Sequence, residues 1–354
     1  MILKQIEQDI QYTTDKIKQP KKQIYIKTTE SCQLNCKHCY IGDARNKRKF
    51  FKAEPTIKWL QELKKVSSYS NEDFYFTFHG GEPLLCRLSE LQKVIDAFPG
   101  AQFDATSNLV FPLEEKTDFI LRNFYADMYK KPTIKTSWDP VIRFKSNSQY
   151  SQWKYNVQHL IEKGIYVRVG ICCTSYLLSM SPIKVFNLFK QLGVHQIDFE
   201  RLTSLPKNNP LYANYEDIDD WICRFYHASI GSSLCISNVE GLKEALYNRL
   251  TGCRARKCNS NVITINADGT IGTCPNMSLS NSITSIYEPI QNYIFSNAKA
   301  CLIKKECTPD NRCLVCPHYD ACNGECCQLE WQGNICPGFK KLISLIKSSF
   351  IKPI

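Results

Sequence analysis

At 354 residues the chain can bury a full core and hold one large domain plus a small one, which excludes a peptide-sized scaffold stapled by cysteines alone. It is 43% hydrophobic and 22% charged, no apolar run approaches the ~20 residues of a membrane helix, and the polar start MILKQIEQDIQYTTDKIKQPKK lacks the apolar centre of an export signal. These features predict a soluble cytoplasmic protein with no membrane partner. The formal charge of +11 counts every thiol as neutral, so metal-bound thiolates would remove part of it. The basic stretches at 18–22 and 45–49 therefore read as solvated faces first, and a nucleic-acid partner is the weaker alternative.

In chain order, a polar N-terminal arm (1–22) precedes a region, 23–202, in which short apolar runs alternate with amphipathic ones. QIYIKTT, DFYFTFH, AQFDATS, TIKTS, YVRVGICC and QIDFE are short and rich in β-branched and aromatic residues, and they read as six strands. Helical patterns lie between them at Thr56–Ser67, Ser89–Phe98, Leu113–Met128, Gln149–Lys163 and Pro182–Leu192. Such an alternation predicts a parallel sheet covered by helices, with the chemistry at the C-terminal ends of the strands, where the loops converge on one mouth. A helical bridge follows (203–252), with DIDDWICRFYHASI and GLKEALYNRL as its patterned segments. The stretch 253–336 has little regular pattern beyond VITINADGTIGTC, where alternation around Asp268-Gly269 predicts a β-hairpin. In the last segment, 337–354, Phe339, Leu342, Ile343 and Ile346 share one helical face, which predicts packing against the barrel rather than a membrane surface.

Nineteen cysteines are the outstanding feature, eleven of them between Cys253 and Cys336. An odd count with no export signal predicts metal binding, not a disulfide framework. Cys32, Cys36 and Cys39 directly follow the first strand in the spacing CxxxCxxC. Three thiolates on one cubane leave an iron with no protein ligand, and an open position marks a reactive site. With His38 as a fourth ligand the same residues would suit zinc. The second strand ends in HGGEPLL, at His79 to Leu85, the third at Asn108 and the fourth at Ser137 to Asp139.

CQLNCKHCY followed by HGGEPLL resembles the two leading motifs of the radical S-adenosylmethionine (SAM) superfamily. The resemblance implies a four-iron cluster on Cys32, Cys36 and Cys39 whose open iron chelates the methionine part of SAM. It makes Glu82 the acceptor for the methionine ammonium, and it places His38 beside the adenine and Ser137 on the cofactor. Gly80 and Gly81, having no Cβ, would let the backbone approach the ligand. Thr106-Ser107-Asn108 stands where relatives show threonine-asparagine-glycine, and Asn108 tolerates the left-handed backbone such a turn uses.

Farther on, Cys258, Gly269, Cys274, Cys313, Cys316, Cys322, Cys326 and Cys336 resemble the SPASM domain, a C-terminal extension holding two auxiliary four-iron clusters. With Cys253 as the extra upstream ligand, the resemblance implies one cluster on Cys253, Cys258, Cys274 and Cys326 and another on Cys313, Cys316, Cys322 and Cys336. Cys327 is an alternative to Cys326. Cys301 and Cys307 are spare thiols or a redox pair, and Cys86, Cys172, Cys173, Cys223 and Cys235 read as small core residues. Two zinc ribbons are the competing reading of the tail. The implied fold is α/β: a partial (β/α)6 TIM-like barrel with a small cysteine-rich C-terminal SPASM domain.

The implied activity is reductive cleavage of SAM to a 5′-deoxyadenosyl radical, with three [4Fe-4S] clusters and an electron donor such as flavodoxin or ferredoxin. Relatives of this kind modify peptides or proteins by oxidation or crosslinking, so a peptide or protein substrate is expected. Two departures qualify this. Only 22 residues precede the first strand, too few for the leader-binding domain of many peptide maturases. Pro275 follows Cys274 where sulfatase-maturating members carry an aspartate base, which counts against formylglycine formation. Modification of a nucleotide, nucleic acid or small metabolite is the alternative. A non-catalytic zinc-ribbon nucleic-acid binder leaves Gly80 to Glu82 and the βα alternation unexplained.

Overall fold

The computed structural model describes residues 22–42, 49–139, 141–203, 209–247, 249–276 and 282–351. The arm at 1–21, the basic stretch at 45–48 and Pro140 lie outside the described residues. The six strands form where the alternation put them: β1 (Lys22–Thr29), β2 (Phe74–Gly80), β3 (Gln102–Ala105), β4 (Thr133–Ser137), β5 (Tyr166–Cys173) and β6 (Gln196–Arg201). β1, β2 and β3 pair in parallel, as do β4, β5 and β6. A parallel bridge from Thr106 to Lys135, with Ser107 N donating to Lys135 O at 2.9 Å, joins the two halves into one curved sheet.

Side-chain alternation gives the sheet an outer face and an inner one. Phe74, Phe76 and Phe78 of β2 are fully buried on the outer face, where Phe76 stacks on Phe103 at 4.8 Å. Their neighbours Tyr75, Thr77 and His79 take the opposite face, which is the lumen. Five helices cover the outside: α1 (Ala53–Val66), α2 (Leu88–Ala97), α3 (Glu114–Asn123), α4 (Asn147–Glu162) and α5 (Pro182–Leu192). α3 stops five residues short of the predicted Met128. Tyr125 there exchanges backbone hydrogen bonds with Phe103, and that pairing requires extended chain from the buried Phe124 onward.

The predicted hairpin forms as β8 (Val262–Ile265) and β9 (Thr270–Gly272), with Gly269 at φ +88° in its turn. It is not free-standing. β8 lies parallel on the outer edge of β1, and β10 (Thr284–Ser285) follows, giving the order β10-β9-β8-β1-β2-β3. The open edge of a partial barrel leaves unpaired backbone groups, and the fully buried Ile263 and Ile265 carry the hairpin onto it. A short β7 (Cys235–Ile236) continues the sheet beyond β6 in the same way.

Four more helices of eight or more residues complete the described fold: α6 (Tyr215–Ser229), α7 (Ser237–Leu246), α8 (Asn297–Cys307) and α9 (Lys340–Ile351). The predicted apolar face of α9 is buried. The Asp219 carboxylate of α6 caps it, accepting from Lys341 N at 2.7 Å and Leu342 N at 3.1 Å. No helix among the described residues is long and apolar enough to cross a membrane.

Candidate active site and tail cysteine clusters

The pairing of β1 with β2 slips between Lys27 and Thr29, and just beyond the slip the chain enters the cysteine loop. Gly81 N donates to Thr29 O at 2.7 Å and Glu82 N to Ser31 O at 2.8 Å, so the end of β2 is laced to that entrance. A Cβ on Gly80, which sits at φ +126°, would overlap Thr29 O, and one on Gly81 would overlap the carbonyls of Glu30 and Ser31. What the two glycines approach closely is therefore the chain's own backbone at the root of the cysteine loop.

Glu82 is fully buried. Its carboxylate accepts from Leu84 N (3.1 Å), Ser107 Oγ (2.8 Å) and Asn108 N (2.7 Å). Burial outweighs these donors and the charge of Lys116 and raises its pKa to about 7, and Glu82 is in no ion pair among the described residues. Asn108 ties this carboxylate to the cysteines, because its Nδ2 lies 3.4 Å from Cys32 Sγ while its Oδ1 accepts from Gln33 Nε2 and Val110 N. The left-handed residue of this turn is the buried Leu109, at φ +53°, and not Asn108. The surroundings fix it there: Ser107 Oγ accepts from Leu109 N, and Leu109 O accepts from Asn156 Nδ2 at 2.8 Å.

His38 is buried, with Nε2 3.2 Å from Arg143 Nη2 and 3.4 Å from Asp139 Oδ2. Burial, with Arg143 alongside, lowers its pKa to about 3, so the ring is neutral. Arginine only donates; Nε2 therefore accepts and the proton sits on Nδ1, which is enclosed without a partner. This arrangement commits the nitrogen nearest the carboxylate and weakens the case for His38 as a zinc ligand. His38, Asp139 and Cys172 do bring ligand atoms within 4.8 Å of one another, but the guanidinium of Arg143 already pairs with Asp139 and contacts His38 Nε2. Asp139 is an anchor, accepting from Cys172 N at 2.9 Å and from Arg143 at 2.8 Å. Ser137 ends β4 half-buried, paired with Gly170. Arg143 was not singled out by sequence; its only signal is its place four residues after Asp139.

Below the mouth the two lumen walls differ. On the β3–β6 side every charge is matched: Lys135 pairs with Asp198 (3.0 Å) and Glu200, and Arg168 pairs with Asp104, which also accepts from Tyr75 Oη at 2.7 Å. On the β1–β2 side Lys27, 4% exposed, lies in no ion pair among the described residues. Its ammonium sits 4.9 Å from the ring centre of Tyr40, whose hydroxyl is 3.0 Å from His79 Nδ1. Burial lowers the Lys27 pKa to about 8.

The tail brings several of its cysteines near one another. Cys253 Sγ lies 3.8 Å from Cys258 Sγ and within thiol hydrogen-bonding reach of Cys326, while Cys326 and Cys327 both act on the Cys274 thiol, which burial pushes up. It is the sulfur of Cys326, not that of Cys327, which meets Cys253. Cys313, Cys316, Cys322 and Cys336 line one pocket with Trp331 and His318. A Cβ on Gly338 would stand 2.9 Å from Cys322 Sγ, so the glycine keeps that space open for sulfur. Cys301 and Cys307 lie six residues apart on the single helix α8. The ~9 Å rise between them exceeds disulfide reach, so they are not a redox pair with each other. Cys86 and Cys173 are core residues as expected, whereas Cys172 stands beside His38.

Buried charges brace these sets. Glu325, next to Cys326, pairs with Arg201 of β6 (2.8 Å) and Arg254 (2.9 Å), which links tail to barrel. Glu306 accepts from Cys258 N at 2.8 Å and Asn259 N at 2.9 Å.

No protein-family model and no curated protein sequence matches the chain. Solved structures do match. Native anSMEcpe with bound AdoMet superposes with a TM-score of 0.76 at 17% identity, over 93% of this chain and 97% of that one. The same protein with AdoMet and the Cp18Cys peptide gives 0.73 at 15%, over 92% and 99%. Streptococcus suis SuiB bound to precursor peptide SuiA gives 0.60 at 14%, over 90% and 74%. At these identities the likeness establishes the fold: barrel and cysteine-rich tail together resemble these AdoMet- and peptide-bound proteins, as the motifs resemble those of radical SAM enzymes with a SPASM tail.

Proposed function

We propose that the chain is a radical SAM enzyme acting on a peptide or protein. Cys32, Cys36 and Cys39 would hold a four-iron cluster with SAM at its open iron, and the two tail sets would hold fully ligated clusters. When bound, the first cluster supplies the electron that cleaves SAM to methionine and a 5′-deoxyadenosyl radical, which abstracts hydrogen from the substrate. The observation that carries this reading is Glu82, a buried carboxylate held beside the cysteine loop by three donors of the chain and in no ion pair among the described residues. A carboxylate has about four acceptor positions, so one remains for an ammonium, and a charge-assisted bond there would return its pKa to the normal range.

Other residues fit the same occupant. The enclosed Nδ1–H of His38 is an orphaned donor that would take an acceptor on the adenosine side. Gly80 and Gly81 hold Glu82 in place by letting β2 meet the loop entrance. The peptide reading draws support from the Cp18Cys and SuiA peptides bound to the matching folds. Flavodoxin or ferredoxin would deliver the electron.

The test is anaerobically reconstituted full-length protein given SAM and dithionite, with 5′-deoxyadenosine measured by mass spectrometry. Wild type should form it and Cys36→Ala should not. Formation by Cys36→Ala at the wild-type rate would overturn the proposal, as would wild-type protein holding stoichiometric zinc and little iron.

A further inference from the structure

The cysteine loop is tied to the chain just after β4 through the residues between Cys36 and Cys39. Lys37 N donates to Ile142 O at 3.1 Å, and the Arg143 guanidinium reaches His38 Nε2 at 3.2 Å. That guanidinium is itself fixed. Its Nε and Nη2 donate to Asp139 Oδ2 at 3.0 and 2.8 Å, and Arg143 N donates to Asp139 O at 2.9 Å. Asp139 Oδ1 in turn accepts from Cys172 N of β5 at 2.9 Å. A chain of bonds therefore runs from β5 through Asp139 and Arg143 to the ring of His38.

This chain decides which ring nitrogen carries the proton. Asp139 Oδ2 lies 3.4 Å from Nε2, and with no guanidinium present it would draw the proton there and leave Nδ1 an acceptor. Arg143 is nearer and only donates, so Nε2 accepts and Nδ1 keeps its hydrogen. His38 is 8% exposed, and its Nδ1 is enclosed with no hydrogen-bond partner in the chain. A buried donor left unpaired is costly, and a ligand that brings an acceptor removes the cost. We propose that Arg143 is a positioning residue for SAM: by holding His38 as an Nδ1–H donor, it selects a ligand that presents an acceptor there, a ring nitrogen of adenine. The proposal rests on the reading of the cysteine loop as the SAM site. The opposite tautomer would favour a donor instead, such as the adenine amino group.

The experiment is anaerobic calorimetry at pH 8.5, above the ordinary histidine range, on full-length protein reconstituted with iron and sulfide. The ligands are SAM and its 1-deaza, 3-deaza and 7-deaza analogues, each with one adenine ring nitrogen replaced by C–H. One analogue should bind wild type about tenfold more weakly than SAM, because it leaves Nδ1–H unpaired. This discrimination should disappear in His38→Phe and in Arg143→Met. It should persist in Arg143→Lys, whose ammonium can still donate to Nε2. A merely structural Arg143 would weaken SAM and analogue alike, and an unchanged ratio in Arg143→Met overturns the proposal. Equal binding of SAM and every analogue by wild type overturns it too. Should Arg143→Met fail to assemble its barrel cluster, Arg143→Ala reconstituted in millimolar guanidinium decides: discrimination that is lost when guanidinium is removed upholds the idea, and discrimination indifferent to it overturns it. Wild type that holds its barrel cluster yet binds no SAM overturns the underlying reading as well, a result distinguishable from equal binding of SAM and its analogues.

Discussion

The barrel mouth and the tail both gather cysteines, but they surround them differently. At the mouth three thiols stand near two polar groups with an open position among the described residues: Glu82 is in no ion pair and His38 Nδ1 has no acceptor. In the tail the cysteines gather around flanking carboxylates that the chain occupies, Glu325 between two arginines and Glu306 on two backbone N–H groups, although Arg201 Nη1, Arg254 Nε and His318 Nδ1 there are also without partners. The contrast lies in the carboxylates: Glu82 at the mouth keeps an acceptor position for a ligand, while Glu325 and Glu306 are taken up by the chain itself.

The largest expected effect falls on the tail's bracing. Glu325→Ala leaves Arg201 and Arg254 buried without their anion and should lower stability by about 3–5 kcal/mol, measured by urea unfolding. A loss below about 1 kcal/mol would show that water already reaches the triad. At the mouth, Glu82→Gln keeps shape and loses charge, so SAM binding should weaken by about 1.5–3 kcal/mol in anaerobic calorimetry. Unchanged affinity with clusters intact would remove Glu82 from the site.

The same contrast has a pH signature. The Glu82 pKa is raised to about 7 in the free protein, so below that pH the carboxylate is protonated and cannot serve an ammonium. SAM affinity should fall as pH drops through about 7, approaching tenfold per unit, and this dependence should vanish in Glu82→Gln. For folding the sign is opposite. A raised carboxyl pKa contributes stability below its unfolded value and loses it as pH rises toward 7. The smallest effect is Asn108→Ala, which removes the N–H aimed at Cys32 sulfur. It should lower the first cluster's potential modestly, about 0.5–1.5 kcal/mol for one hydrogen bond. An unmoved potential would mean that the 3.4 Å contact is too weak to matter.

Much of the fold was legible because six strands and five helices carry their own periodicities; Phe74, Phe76 and Phe78 alternating with Tyr75, Thr77 and His79 say strand without any context. What stayed hidden was non-local. Nothing in VITINADGTIGTC announces that it will pair with β1, some 240 residues earlier, because edge pairing is decided by which backbone groups the barrel leaves open. Likewise α3 looks helical to Met128, but only tertiary pairing of Tyr125 with Phe103 ends it early. At the candidate site, spacing singled out Cys32, Cys36 and Cys39, and the resemblance carried by HGGEPLL singled out Glu82. Arg143 and Glu325 escaped because a charged residue reveals its role only through what the fold places beside it.

The account's central claim is that the three-cysteine site binds SAM and the four-cysteine sites do not. Anaerobic calorimetry of SAM binding to two variants tests it most directly: Cys32→Ala/Cys36→Ala/Cys39→Ala and Cys313→Ala/Cys316→Ala, each reconstituted with iron and sulfide. The predicted result is no detectable binding to the first, with its tail clusters retained, and wild-type affinity in the second. Wild-type affinity in the first variant, or loss of binding in the second with its barrel cluster intact, would contradict the division between mouth and tail.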